Sequence, residues 1–210
     1  MSASSEIVAA RLANDIRLDS RNPATEWQHA VPIHFSADWQ RENADPLLRT
    51  EVRLLWSPRN LYLRFVCHYR SLFVFEDSDP NGRRDHLWDR DVAEAFLQPE
   101  PSPERTYKEF EIAPNGMWID LDISPSGLAD LKNGLTRSVH IDEPQRMWAA
   151  ELSIPIRSLT TTFDPTKPWR ANFYRVEGRS EPRQYLAWQP TFTPQPNFHV
   201  PEAFGTLRFV

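Results

Sequence analysis

Leu61, Leu63, Phe65, Cys67 and Tyr69 alternate with Tyr62, Arg64, Val66 and His68. That period of two fixes a β-strand, because a helix would need its apolar residues three and four apart. The same period recurs in Met117, Ile119, Leu121 and Ile123 against Trp118, Asp120 and Asp122, and in Trp148, Ala150, Leu152 and Ile154 against Glu151 and Ser153. Phe110 and Ile112 alternate with Glu109 and Glu111. Each run predicts a strand with one dry and one wet face, which puts Glu109 and Glu111 on the wet side.

Turn residues separate these runs. Ser57-Pro58-Arg59-Asn60 predicts a hairpin between Glu51 to Trp56 and the Leu61 run, with proline where a type I turn accepts it. Asn115-Gly116 predicts a two-residue hairpin ahead of the Met117 run. Further strands are expected at Trp169 to Glu177, Gln184 to Trp188 and Phe204 to Val210. Helical expectations are confined to Ile7 to Ala13 and to a turn or two after Pro125 and after Pro155. The sum is an all-β fold, an antiparallel β-sandwich of jelly-roll or immunoglobulin-like kind, with about ten strands and one or two short helices. No linker interrupts the chain, so residues 1–210 read as a single domain, with residues 1–14 as a loose N-terminal extension.

Composition removes several function classes. With 24 Lys and Arg against 29 Asp and Glu and no long run of one sign, the chain lacks the basic footprint of a nucleic-acid binder. Glycine is scarce, at 6 residues against 19 prolines, and neither a phosphate loop nor a dinucleotide fingerprint is present. The single cysteine, Cys67, lies on an apolar strand face and reads as a small core residue, not a nucleophile. No apolar stretch is long enough for a membrane span. The first twenty residues lack a basic start followed by an apolar segment, so a cytoplasmic location is expected of the chain as given.

The chemistry concentrates in Leu87 to Pro99, where Glu94 stands alone in an apolar strand shortly after Trp88. A sugar offers an apolar face of C–H bonds and a rim of hydroxyls, which an aromatic plate and a carboxylate acceptor can match. The proline-dense segment Gln189 to Pro201 cannot pair as an inner strand and is expected to form a surface loop carrying Phe198 and His199. Glu94 and Glu111 also leave open a glycoside-processing enzyme, which needs two carboxyl groups. A sandwich scaffold without a ligand is the third alternative. Asp77, Asp79, Asn81 and Gly82 have the oxygen spacing that opens a calcium loop. Trp88 stands where that loop would close with glutamate, so no cofactor is expected and a structural calcium is only an option beside a simple turn.

The segments carry a family likeness. WDRDVAEAFL (Trp88 to Leu97), YKEFEIAPNG (Tyr107 to Gly116), WAAELSIP (Trp148 to Pro155), WRANFYR (Trp169 to Arg175), LAWQP (Leu186 to Pro190) and NFHVPEAFGTL (Asn197 to Leu207) come in an order that resembles carbohydrate-binding module family 9, a DOMON-like β-sandwich. The resemblance implies a non-catalytic module that holds the terminal sugar of a xylan- or cellulose-type oligosaccharide between aromatic rings, working in carbohydrate catabolism. It implies Trp88 and Phe198 as the rings and Glu94 as a ligand-holding carboxylate, with a separate carbohydrate-active enzyme as a partner. Two departures stand out. Phe198 occupies a position usually held by tryptophan, which predicts binding weaker by about 1 kcal/mol. Glu111 and Ala113 stand where family members have arginine and asparagine, so Arg175 on a neighbouring strand is expected to pair with Glu111, and His199 to donate to a sugar hydroxyl.

Overall fold

The computed structural model describes residues 5–79, 82–130 and 134–210. Among them thirteen strands form one curled, mixed sheet. The long alternating runs form its frame. β3 (Thr50–Trp56) and β4 (Asn60–His68) pair as the expected hairpin, and β10 (Met147–Pro155) lies antiparallel on the other side of β4. β5 (Val92–Gln98) runs between β6 (Tyr107–Ile112) and β11 (Trp169–Glu177), and β7 (Trp118–Ser124) extends the sheet beyond β6.

The sheet curls because its two halves share one apolar interior. Val52, Leu63, Phe65, Trp148 and Leu152 from one half meet Ala95, Leu97, Phe110, Trp169 and Phe173 from the other, all buried. At about 25 cal/mol per Å2 of apolar area removed from water, such large side chains supply the main driving force for closure. Cys67 is part of this interior, and burial pushes its thiol up to about 11, as suits a structural residue.

The purely antiparallel expectation needs correction. Glu6–Arg11 forms strand β1, not a helix or a loose extension. It inserts between β3 and β13 (Gly205–Phe209) and runs parallel to both. Ile7 and Ala9 point into the core and their neighbours out, a period of two that a helix would waste. The parallel insertion closes the seam between the ends of the chain. The turn after Pro125 is also a strand, β8 (Gly127–Asp130), whereas the turn after Pro155 is helical, α1 (Ile156–Leu159). The short strands β2 (Ile33–Phe35), β9 (Thr136–Asp142) and β12 (Gln184–Ala187) bring the total above the expected ten.

The Asn115-Gly116 hairpin forms with a shifted turn. Gly116 N–H donates to the Ala113 carbonyl at 2.9 Å, which makes Pro114 and Asn115 the central pair. Gly116 follows at φ +85°, where a side chain would be strained. No helix among the described residues is long and apolar enough to cross a membrane.

Both faces of β5 are buried, unlike those of an ordinary sandwich strand. Ala93, Ala95 and Leu97 enter the main interior. Val92 and Phe96 join a second apolar cluster on the outside of the sheet with Tyr107, Ile119, Leu121, Tyr174, Phe198 and Phe204. The proline-rich segment folds over that outer face and turns it into a lined cleft.

Candidate functional site

Register determines which side chains meet in the cleft. Glu94 on β5 stands opposite Tyr174 on β11 and Glu111 on β6, and Phe96 stands opposite Asn172 and Glu109. Facing residues of one sheet face lie about 5 Å apart at Cβ, so this outer face carries three carboxyl groups next to one another. The expected wet face is buried: Glu94, Glu109 and Glu111 are each at most 3% exposed.

Trp88 is positioned from behind. It sits in a 3-10 turn, Leu87–Asp89, pinned by the fully buried Leu87. Asp91 accepts the backbone N–H groups of Phe73 at 2.7 Å and Gly178 at 2.8 Å, which fixes where the turn leaves β5. Arg183 then donates to the Trp88 carbonyl at 2.9 Å, the Arg90 carbonyl at 2.7 Å and the Gly178 carbonyl at 3.0 Å. One planar fork thereby ties two loops together. The indole stays half-buried, with the His86 ring tilted against it at 4.8 Å.

Phe198 is held from the opposite side. Its ring stacks on Tyr174 at 4.1 Å and 11°, and the Tyr174 hydroxyl donates to the Phe198 carbonyl at 3.1 Å. Asn172 anchors the start of the covering segment, donating to the Gln189 carbonyl at 2.9 Å and accepting Gln189 N–H at 3.0 Å. Trp88 and Phe198 do not stack on each other. Both line a cleft of about 330 Å3 whose wall also includes Glu94, Glu109, Tyr185 and Arg183. One face of Phe198 is committed to Tyr174, the Tyr185 ring stands edge-to-face with it at 6.2 Å, and the buried ring lines the cleft with what remains.

The carboxyl groups are electrostatically strained. Burial raises the Glu94 pKa well above the ordinary value, the Glu109 charge adds to the rise, and Arg183 opposes it. No protein donor among the described residues bonds the Glu94 carboxyl. Glu111 is raised well above 4.5 by burial and by the charges of Glu94 and Glu109, and neither of its oxygens meets a protein N–H or hydroxyl. The proximity of the two carboxyl groups raises Glu111 further and lowers Glu109. Burial outweighs that lowering, and Glu109 is pushed up to about 7.

Two other expected residues fall differently. Arg175 shares the parity of Phe173 and points into the sandwich interior, away from Glu111, so the expected pair does not form. It bonds Glu177 and the His68 carbonyl instead and lies 5.8 Å from the Trp148 ring centre. His199 reaches the cleft wall. It shares a hydrogen bond with the Tyr107 hydroxyl at 2.7 Å, and loss of hydration lowers its pKa.

In the Asp77 to Gly82 segment, Pro80 and Asn81 lie outside the described residues, while Asp79 accepts Arg83 N–H at 2.8 Å and Gly82 N–H at 2.9 Å, as in a turn. The sequence reasoning missed Arg183 and Tyr185 as cleft residues. Tyr185 carried a signal in the alternation of its strand, whereas Arg183 sits in a polar loop that offered none.

The profile of carbohydrate-binding family 9 matches residues 135–209, which include β11, the covering segment and the closing strand. The chain is similar to carbohydrate-binding family 9. A protein of Arthroderma benhamiae described as an extracellular protein is 27% identical, with 90% of this chain and 89% of that protein covered. A solved structure from Bacteroides uniformis, of a protein to which carbohydrate binding has been ascribed, has a TM-score of 0.73 at 17% identity, with 98% and 99% of the two chains covered. A family 9 module from Caldicellulosiruptor kristjanssonii in complex with cellotriose has a TM-score of 0.62 at 13% identity and coverage of 97% and 93%. These structures share the fold with this chain.

Proposed function

We propose that the cleft binds the terminal sugar of an oligosaccharide of xylan or cellulose type, without cleaving it. Trp88 and Phe198 act as plates for the apolar faces of the ring, and Glu94 accepts from its hydroxyls. The observation that carries this reading is one lined cleft holding a half-buried tryptophan, a second aromatic ring and a buried carboxyl that no group among the described residues bonds. A buried polar group normally has a partner, so an unbonded Glu94 suits a ligand that brings its own donors. The similarity to carbohydrate-binding family 9 supports the same reading.

Calorimetric titration of xylo-, cello- and manno-oligosaccharides tests it. Binding by wild type that Trp88→Ala abolishes is the expected result, and loss of binding to oligosaccharides reduced to their end alcohols would mark chain-end recognition. Absence of heat from every sugar at millimolar concentration would refute the reading. A second reading, glycoside cleavage, is favoured by the raised Glu94 and Glu109 carboxyls, because a general acid must keep its proton near neutral pH. Release of reducing ends from glycan panels, abolished by Glu94→Gln, would establish it in place of binding.

A further inference from the structure

The cleft is acidic as well as aromatic. Its wall carries Asp89, Glu94, Glu109 and Glu181 against a single arginine, Arg183. That arginine does not neutralise them freely, because its guanidinium is occupied by three backbone carbonyls. Glu94 lacks any protein donor among the described residues. Glu109, 3% exposed and on the cleft wall, has one carboxyl oxygen that meets no donor among the described residues. Two buried carboxyl groups face the same space with no cation among the described residues free to pair with them, so a ligand that brings both a positive charge and donors favours their ionised, accepting forms, which a sugar hydroxyl does only in part.

We infer, building on the sugar-binding reading above, that the cleft selects a sugar bearing a free ammonium group, an amino sugar at a chain end, over the neutral sugar of the same shape. An ammonium brings one positive charge and three N–H donors on a single atom, which lets it bond Glu94 and Glu109 together. The flat rings of Trp88 and Phe198 favour the same ligand, since an ammonium beside an aromatic face gains from the ring quadrupole. A uronic acid is disfavoured by the same carboxylates, because like charges brought together in a poorly hydrated site repel strongly.

Matched disaccharides decide the matter. Cellobiose and fully deacetylated chitobiose differ only in replacing one hydroxyl per ring by an ammonium, and N,N′-diacetylchitobiose restores a neutral group at the same positions. Titration of the intact protein with these three, and with glucuronic acid, should show the deacetylated disaccharide binding at least about tenfold tighter than cellobiose, with the advantage reduced by added salt. Glu109→Gln, which keeps the shape of the side chain, should reduce that advantage several-fold. Equal binding of the amine and cellobiose, or preference for the diacetylated form or for glucuronic acid, overturns the inference while leaving the sugar-binding reading intact. Failure of all the sugars to bind the folded protein removes the reading itself and the inference with it.

Discussion

Glu109→Gln should change how folding stability depends on pH. In the wild type, burial pushes the Glu109 carboxyl from 4.5 to about 7 on folding. Below pH 4.5 the group is protonated in both states and costs nothing. As pH rises from there, the unfolded chain releases the proton while the folded chain keeps it, so unfolding becomes easier up to the folded value and then no further. At about 1.4 kcal/mol per pH unit, the loss between pH 4.5 and 7 amounts to about 3 kcal/mol from this one residue. Glu94 and Glu111 are shifted in the same direction and remain in the variant, with smaller shifts because the Glu109 charge that adds to both is gone, so the difference between the two proteins reports Glu109 together with its coupling to them. Asp15, lowered chiefly by its hydrogen bond from Ser57, acts in the opposite sense, but its contribution is lost only below pH 3.8, outside the window. Urea unfolding of both proteins at several pH values across the window measures the two slopes. A variant whose stability falls as steeply as that of the wild type, or a wild type that gains stability towards pH 7, would refute the burial argument.

Arg183→Met keeps much of the side-chain length but leaves the carbonyls of Trp88, Arg90 and Gly178 without their donor. It should lower stability by about 1–3 kcal/mol in thermal unfolding and weaken sugar binding more than stability alone accounts for, because the Trp88 turn is released. Gly205→Ala should destabilise by about 2 kcal/mol or more in the same assay. An added Cβ would lie 2.6 Å from both the Ser5 carbonyl oxygen and the Trp188 ring, and β1 blocks any outward adjustment.

Alternation along β3, β4, β10 and β11 was enough to place those strands, because each has one face in the main interior and the pattern is a local consequence of that burial. The β1 segment is harder to place, because Ile7-Val8-Ala9-Ala10 is short and apolar and suits a helix as well as a strand. Its conformation is set by partners far along the chain, Leu207 on one side and Leu54 on the other. Glu109 and Glu111 were correctly placed on one face, yet alternation says nothing about what covers a face. The cover arrives some eighty residues later, in the segment from Gln189 to Phe204.

The expected Glu111–Arg175 pair conflicts with the alternation of its own strand, because Arg175 and Phe173 share parity and Phe173 belongs to the core, which turns Arg175 away from Tyr174 and Glu94. Trp88, Glu94 and Phe198 were legible as chemistry. Their meeting in one cleft depends on the strand register and on the Arg183 clamp, neither of which a single segment reveals.

The chain contains 8 tryptophans, whose indole N–H groups give resolvable nitrogen–proton resonances, and Trp88→Phe identifies the one that belongs to the cleft. Cellotriose titrated into the labelled protein should shift the Trp88 resonance in a saturable way and leave those of the buried Trp148 and Trp169 in place. A Trp88 resonance that stays fixed while the sugar binds, or that never moves at millimolar sugar, would contradict the claim that this cleft is a carbohydrate site.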